Sequence, residues 1–197
     1  MQRDVRRGGR RITSGRSHPE AGLDEPIPID GVELIRLEPH EDARGSLTEI
    51  FRRSWVPGPA PFVQGNVSVS HAGVLRGLHL HRSQADYWCV LEGRAFIGLV
   101  DLRAGSATEG VAVGVTTDAG ERRVGLYIPP GVAHGFYAET DLTLLYLVDA
   151  EFTGEDEFGL AWDDPDVAIA WPSPDPILSD RDRSNPSLRE IKDRAQP

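Results

Sequence analysis

Two short stretches hold residues whose types and spacing suit proton transfer or metal ligation. GVLRGLHLHRSQADYWCVLEG, residues 73–93, carries His79 and His81 one residue apart, with Asp86 shortly after them. On a strand, His79 and His81 project to the same face. A hairpin joining that strand to the one Asp86 opens would set the carboxylate beside both imidazoles. IPPGVAHGF adds His134 after a Pro-Pro-Gly turn. Imidazole titrates close to neutrality, so a histidine in such a cluster is a candidate general base. As a set, His79, His81, Asp86 and His134 also offer three nitrogens and a carboxylate, the donors that suit Fe, Mn, Ni or Zn. Both chemistries stand open on the residues alone. Asp86 has a plainer alternative as a solvated hairpin residue, and Trp88 and Cys89 read as strand packing.

The elements that must position these groups are strands. From Ile27 onward the chain runs through ADYWCVLEG, RAFIGLVDLR, GVAVGVTTD, RRVGLYIPPG and LTLLYLVDAEF, short apolar runs broken by Gly, Pro and Asp. Strands at roughly 8–12-residue spacing, with no long helical period between them, predict an all-β sandwich or barrel. Glu92-Gly93 and Asp118-Ala119-Gly120 are the expected hairpin turns. After Trp171, PSPDPILSDRDRSNPSLREIK is polar and Pro-interrupted, which predicts short helices outside the barrel. The organisation expected is an Arg-rich disordered extension over residues 1–24, one barrel domain over 25–175 and a helical tail over 176–197.

Composition narrows the function. The 197 residues hold 31 Asp plus Glu against 21 Lys plus Arg, a formal net charge of −10. A body this acidic lacks the basic face that nucleic acid requires. Residues 1–17 run the other way, with six arginines and one aspartate, but almost no large apolar side chains to support folding. A lone cysteine, Cys89, forms no intramolecular disulfide and fits a reducing cytoplasm. No apolar run approaches the roughly 18 residues of a spanning helix, and the start lacks the apolar stretch of a secretory signal. The expected protein is cytoplasmic, with no nucleic-acid or membrane partner. Its only lysine is Lys192.

The spacing of Gly73, His79, His81, Asp86 and Gly93 resembles the first motif of the cupin superfamily, with Asp where Glu is usual. Pro129, Gly131 and His134 resemble the second. That resemblance implies a double-stranded β-helix, or jelly-roll, barrel. A narrower resemblance covers roughly Asp42 to Pro186. DARGSLTEIF, FVQGNVSVS, GVLRGLHLH, VDLRAGSATEG, IPPGVAHGF, WDDPDVAIAWP and PILSDRDRSNP are similar to blocks of the dTDP-4-dehydrorhamnose 3,5-epimerase family. The resemblance implies 3- or 3,5-epimerisation of a dTDP-4-keto-6-deoxyhexose without metal or organic cofactor. It implies His79 as base, Asp164 of WDDP as the partner orienting its imidazole, and Tyr146 as the acid on the opposite face. Arg44, Glu49, Gln64, Asn66, Arg76 and His134 fall at substrate-contacting positions. A homodimer with exchanged N-terminal strands and shared sites is implied as well.

The chain departs from that family at positions that bear on chemistry. The family's QAK segment, whose lysine supports the enolate, reads Gln84-Ala85-Asp86 here. Ser46-Leu47 replaces an aromatic pair after the DxRG block, and His81 is an added histidine. These changes leave three other readings: a sugar-nucleotide 3,4-ketoisomerase, a cupin enzyme holding one divalent metal ion on His79, His81, Asp86 and His134, and a non-catalytic sugar-nucleotide binder. His18, His40 and His71 lie outside the motifs.

Overall fold

The alternating and continuous apolar runs fold into two facing sheets. A computed structural model describes residues 22–23, 25–58 and 61–195; the extension expected over residues 1–24 lies outside them but for Gly22 and Leu23. The described strands are β1 (Glu33–Arg36), β2 (Pro39–Asp42), β3 (Gly45–Thr48), β4 (Gln64–Ser70), β5 (Leu75–Leu80) and β6 (Asp86–Glu92), then β7 (Arg94–Asp101), β8 (Ala112–Asp118), β9 (Val124–Ile128), β10 (Val132–Ala138), β11 (Leu142–Val148) and β12 (Phe158–Gly159). Two short helices follow, α1 (Asp180–Arg183) and α2 (Leu188–Ala195). One five-stranded sheet runs β1-β9-β6-β11-β4, the other β12-β5-β10-β7-β8, and β2 pairs with β3 alone. This is the all-β architecture expected from the strand pattern, with the cupin-type barrel that the motif resemblance implied.

Apolar side chains fill the space between the sheets. Trp88, Val90, Leu126 and Leu144 from the first sheet meet Ile97, Leu99, Val115 and Phe136 from the second. The continuous run RAFIGLV has its own explanation. β7 is buried on both faces, with Phe96 and Val100 turned outward under Ile169, Trp171 and Leu188 of the C-terminal segment.

The connections differ from the expected hairpins. β6 and β7 lie in opposite sheets, as do β8 and β9, so Glu92-Gly93 and Asp118-Ala119-Gly120 are corners that carry the chain across the barrel. At Gly93 the backbone takes φ +81° and the position of a Cβ is filled by the Asp141 carbonyl, so only glycine makes this turn without strain. β5 and β6 are likewise split between sheets. Asp86 therefore reaches the histidines across the interior and not along a hairpin.

One buried carboxylate braces the turn that leads into His134. Asp101, at the end of β7, accepts hydrogen bonds from Arg103 Nε and Nη2 at 2.8 Å each, Ser106 Oγ at 2.7 Å and Thr108 Oγ1 at 2.6 Å. Arg103 packs against Gly131. The Gly131 amide donates to His81 O at 2.7 Å and its carbonyl accepts from Leu102 N at 3.1 Å, so the Pro-Pro-Gly turn is held between the ends of β5 and β7. Burial pushes the Asp101 carboxyl upward, but Arg103, Thr108 and Ser106 outweigh it and hold it well below the usual carboxylate range. The folded value lies below the unfolded one. The carboxylate's stabilisation is therefore fully present above about pH 4 and is lost as pH falls toward the folded value. Asp101→Asn should cost about 2–4 kcal/mol at neutral pH in urea unfolding, with the deficit shrinking below about pH 4. A deficit that stays constant from pH 7 to pH 2 contradicts this role.

Candidate active site

Period-two alternation aims one face of five strands into a single cavity of about 430 Å³. On β4, Gln64, Asn66 and Ser68 face inward while Val67 and Val69 stay exposed. β6 contributes Asp86 and Trp88, and β11 contributes Leu144, Tyr146 and Val148. From the facing sheet come Arg76, His79 and His81 along β5 and its end, and His134 and Phe136 on β10. Phe152, Glu157 and Arg181 close the rim.

His79 is held by a group other than the one expected. Its Nε2 lies 2.8 Å from Asp182 Oδ1. Asp182 sits in α1, whose first turn is capped by Ser179: Ser179 Oγ accepts from Asp182 N at 3.1 Å and donates to Asp182 Oδ2 at 2.9 Å. Burial raises the Asp182 carboxyl, yet the hydrogen bonds and charge of His79 and the Ser179 hydroxyl outweigh it and keep it below the ordinary carboxylate range. An ionised Asp182 accepts from His79 Nε2–H, which leaves the imidazole lone pair on Nδ1. Asp164, the partner expected from WDDP, is a structural residue instead. Its two oxygens accept from Asp166 N at 2.8 Å and from Leu188 N at 2.7 Å, so it closes a turn and caps the start of α2.

Tyr146 lines the cavity from the opposite sheet, on β11 between Asn66 of β4 and Trp88 of β6. Burial, then the charges of Asp86 and Glu157, raise its phenol, so it stays protonated and able to donate. Arg76 is steadied by Ser70 Oγ at 3.0 Å and Val69 O at 3.4 Å. Gln64, Asn66 and His134 reach the cavity as expected. Arg44 and Glu49 do not line it within this chain. Both are exposed, Arg44 paired with Asp42 at the β2–β3 turn and Glu49 with Arg52 at 2.6 Å.

Three of the four candidate metal ligands do come together. Ligand atoms of His81, Asp86 and His134 all lie within 4.8 Å of one another, and all three side chains are buried. His79 stands apart from the set, committed to Asp182. Asp86 is no solvated hairpin residue: its oxygens accept from Gln84 Nε2 at 2.9 Å and Trp88 Nε1 at 3.0 Å. Burial, the largest influence, pushes the His134 imidazole down to about 4 against the pull of Asp86.

Sequence reasoning missed Asp182, Arg181 and Glu157, and took Trp88 for packing alone. The signal for Asp182 was the cap-and-third-residue spacing of Ser179-Asp180-Arg181-Asp182, which marks a helix start with a fixed carboxylate.

Comparison with known proteins adds to this geometry. A family model described as dTDP-4-dehydrorhamnose 3,5-epimerase matches residues 26–190. The dTDP-4-dehydrorhamnose 3,5-epimerase of Mycobacterium tuberculosis is 40% identical over 177 residues, covering 84% of this chain and 87% of its own. The crystal structure of a 3′-monoepimerase from Streptomyces bikiniensis in complex with dTDP-quinovose is similar at a TM-score of 0.80 and 36% identity, over 86% of this chain and 90% of its own. The 3,5-epimerase of Legionella pneumophila, in complex with dTDP-4-keto-L-rhamnose, has a TM-score of 0.80 at 34% identity, over 87% of this chain and 95% of its own.

The two aspartates separate experimentally. Asp164→Ala should lower stability by about 1–2 kcal/mol in urea unfolding, as loss of a helix cap does, and leave the downfield His79 Nε2–H proton resonance in place. Asp182→Asn should shift or abolish that resonance. The reverse assignment of the resonance would restore Asp164 as the partner.

Proposed function

The chain belongs to the dTDP-4-dehydrorhamnose 3,5-epimerase family, and we propose that it epimerises a dTDP-linked 4-keto-6-deoxyhexose at C3, or at C3 and C5. The observation that carries this reading is the placement of an oriented base and a protonated phenol on opposite walls of one cavity, His79 on β5 and Tyr146 on β11. In the proposed reaction His79 Nδ1 takes the proton from the carbon beside the ketone. The electron pair of the broken C–H bond moves into the C–C bond, and the carbonyl oxygen becomes an enolate. Tyr146 then gives its proton to the same carbon from the other face, inverting it. Asp182 fixes the tautomer that leaves Nδ1 free and offsets the charge of the imidazolium that forms. The proton transfers themselves require no organic cofactor.

Binding is assigned to the arginines and amides around the rim. Arg76 and Arg181 carry the guanidinium forks that match diphosphate oxygens, which lets an acidic protein focus a local positive field. Gln64 and Asn66 are bonded to each other at 3.1 Å and offer amide groups to the sugar or the base. Arg44 and Glu49 belong to a second chain's site in this reading. β4 is the outer strand of its sheet, with Val67 and Val69 exposed on its outward face, and Leu47 is exposed on the β2–β3 hairpin. A homodimer that lays the hairpin of one chain against β4 of the other covers these side chains and brings Arg44 to a shared cavity. A reducing, cytoplasmic setting accords with the buried free thiol of Cys89. No described helix is long and apolar enough to cross a membrane.

Proton NMR of the 4-keto sugar nucleotide in deuterated water tests the reading. Wild-type protein should introduce deuterium beside the ketone with inversion. His79→Asn and Asp182→Asn should each lower kcat by about 10²–10⁴-fold. Tyr146→Phe should keep exchange and lose inversion. Migration of the ketone along the ring, or unchanged turnover in His79→Asn, contradicts it.

A further inference from the structure

The enolate in that reaction needs a positive partner at its oxygen, and the side chain at the family's lysine position here is an acid. We infer that His81, Asp86 and His134 bind one divalent transition-metal ion, and that this ion holds the enolate oxygen where the family's lysine would; the second half rests on the epimerase reading above.

The three side chains are only 6%, 3% and 3% exposed. Each histidine already spends Nδ1 on a backbone carbonyl: His81 Nδ1 lies 2.7 Å from Asp156 O, and His134 Nδ1 lies 3.0 Å from Val132 O. Those carbonyls accept, so each Nδ1 carries the proton and each Nε2 presents a lone pair to the interior. Such backbone partners behind ligating imidazoles recur in metal sites, where they fix the tautomer and ring orientation. His134 Nε2 faces Asp86 Oδ2 at 3.8 Å. That is too long for a hydrogen bond, and two ligand atoms each ~2.1 Å from one ion span at most ~4.2 Å. In this tautomer the His134 lone pair faces the Asp86 carboxylate.

Asp86 sharpens the point. Gln84 and Trp88 donate to its two oxygens, but these are neutral groups. Among the described residues no arginine pairs with it; Arg76 bonds Ser70 and Arg181 pairs with Glu157. A buried carboxylate met only by neutral donors is costly unless a cation joins it. Two imidazole nitrogens and one carboxylate oxygen form a donor set that takes Fe(II), Co(II), Ni(II) or Zn(II), and three protein ligands leave a coordination position for substrate. His79 and Tyr146 line the same cavity as the triad. As His79 takes the proton, the electron pair flows to the ketone oxygen, and the ion bears the resulting negative charge as a Lewis acid.

Chelator-stripped protein titrated with Co²⁺ alone, read by its visible absorption, tests the site without substrate. One Co²⁺ per chain should bind to wild type and to His71→Gln, a surface-histidine control. Asp86→Asn and His81→Gln, each checked for a cooperative unfolding transition, should weaken binding by more than about a hundredfold, beyond the ~10–100-fold cost of losing a supporting hydrogen bond. Asp182→Asn should bind Co²⁺ fully yet not exchange substrate deuterium, while stripped wild type should regain exchange on adding the ion. Absence of Co²⁺ binding, full binding by both triad variants, or full exchange in stripped protein overturns the inference and leaves the epimerase reading standing. Binding at the triad with no exchange under any loading supports the ion site and overturns the enolisation reading, including the ion's part in it.

Discussion

The hydrogen bond between His79 Nε2 and Asp182 Oδ1, 2.8 Å long, joins the last part of the chain to the barrel wall and decides which imidazole nitrogen is free. Much of the C-terminal architecture serves to hold it. Ile177 bridges to Val74 beside β5. Ser179 caps α1 and grips the second Asp182 oxygen. Asp164 caps α2, and Leu188 beside that cap packs onto β7. A short helix with so few buried residues has little stability of its own; these attachments supply it. The His79–Asp182 pair is therefore built from two distant parts of the chain, one a strand and one a helix turn.

The barrel supplies the other requirement, two walls facing each other. Because β5 and β11 lie in opposite sheets, His79 and Tyr146 come from strands that share no backbone hydrogen bonds. A hairpin would have set neighbouring side chains on one face. Corners such as Gly93 are thus part of the reason that side chains from both sheets line one cavity.

Much of this was legible in the residues. Runs such as RAFIGLVDLR and LTLLYLVDAEF read correctly as strands, and His79, Tyr146, Gln64 and Asn66, which the family resemblance singled out, all line one cavity. What stayed hidden depended on tertiary closure. Glu92-Gly93 has the composition of a hairpin turn, and only the burial of both flanking strands makes it a corner. Asp164 and Asp182 both sit in acidic, turn-rich segments, and the cap spacing at Ser179 marks a helix start with a fixed carboxylate without showing that this carboxylate returns to β5. Arg44 and Glu49 match family positions yet lie away from the cavity of a single chain, exposed and paired with Asp42 and Arg52. Asp86 was visible both as an anomaly and as a candidate ligand beside the histidines; hidden were its route to them, between sheets, and the commitment of His79 to Asp182. With Lys192 the sole lysine, the positive charge at the enolate has to come from elsewhere.

The most direct measurement is a crystal structure of the protein with a bound dTDP-linked 4-keto sugar or a close unreactive analogue. The sugar ring should lie between β5 and β11, with the carbon beside the ketone about 3–3.5 Å from His79 Nδ1 on one face and the Tyr146 hydroxyl on the other, Asp182 still bonded to Nε2. A sugar ring that meets both side chains on the same face, or that binds away from His79 altogether, would contradict this arrangement.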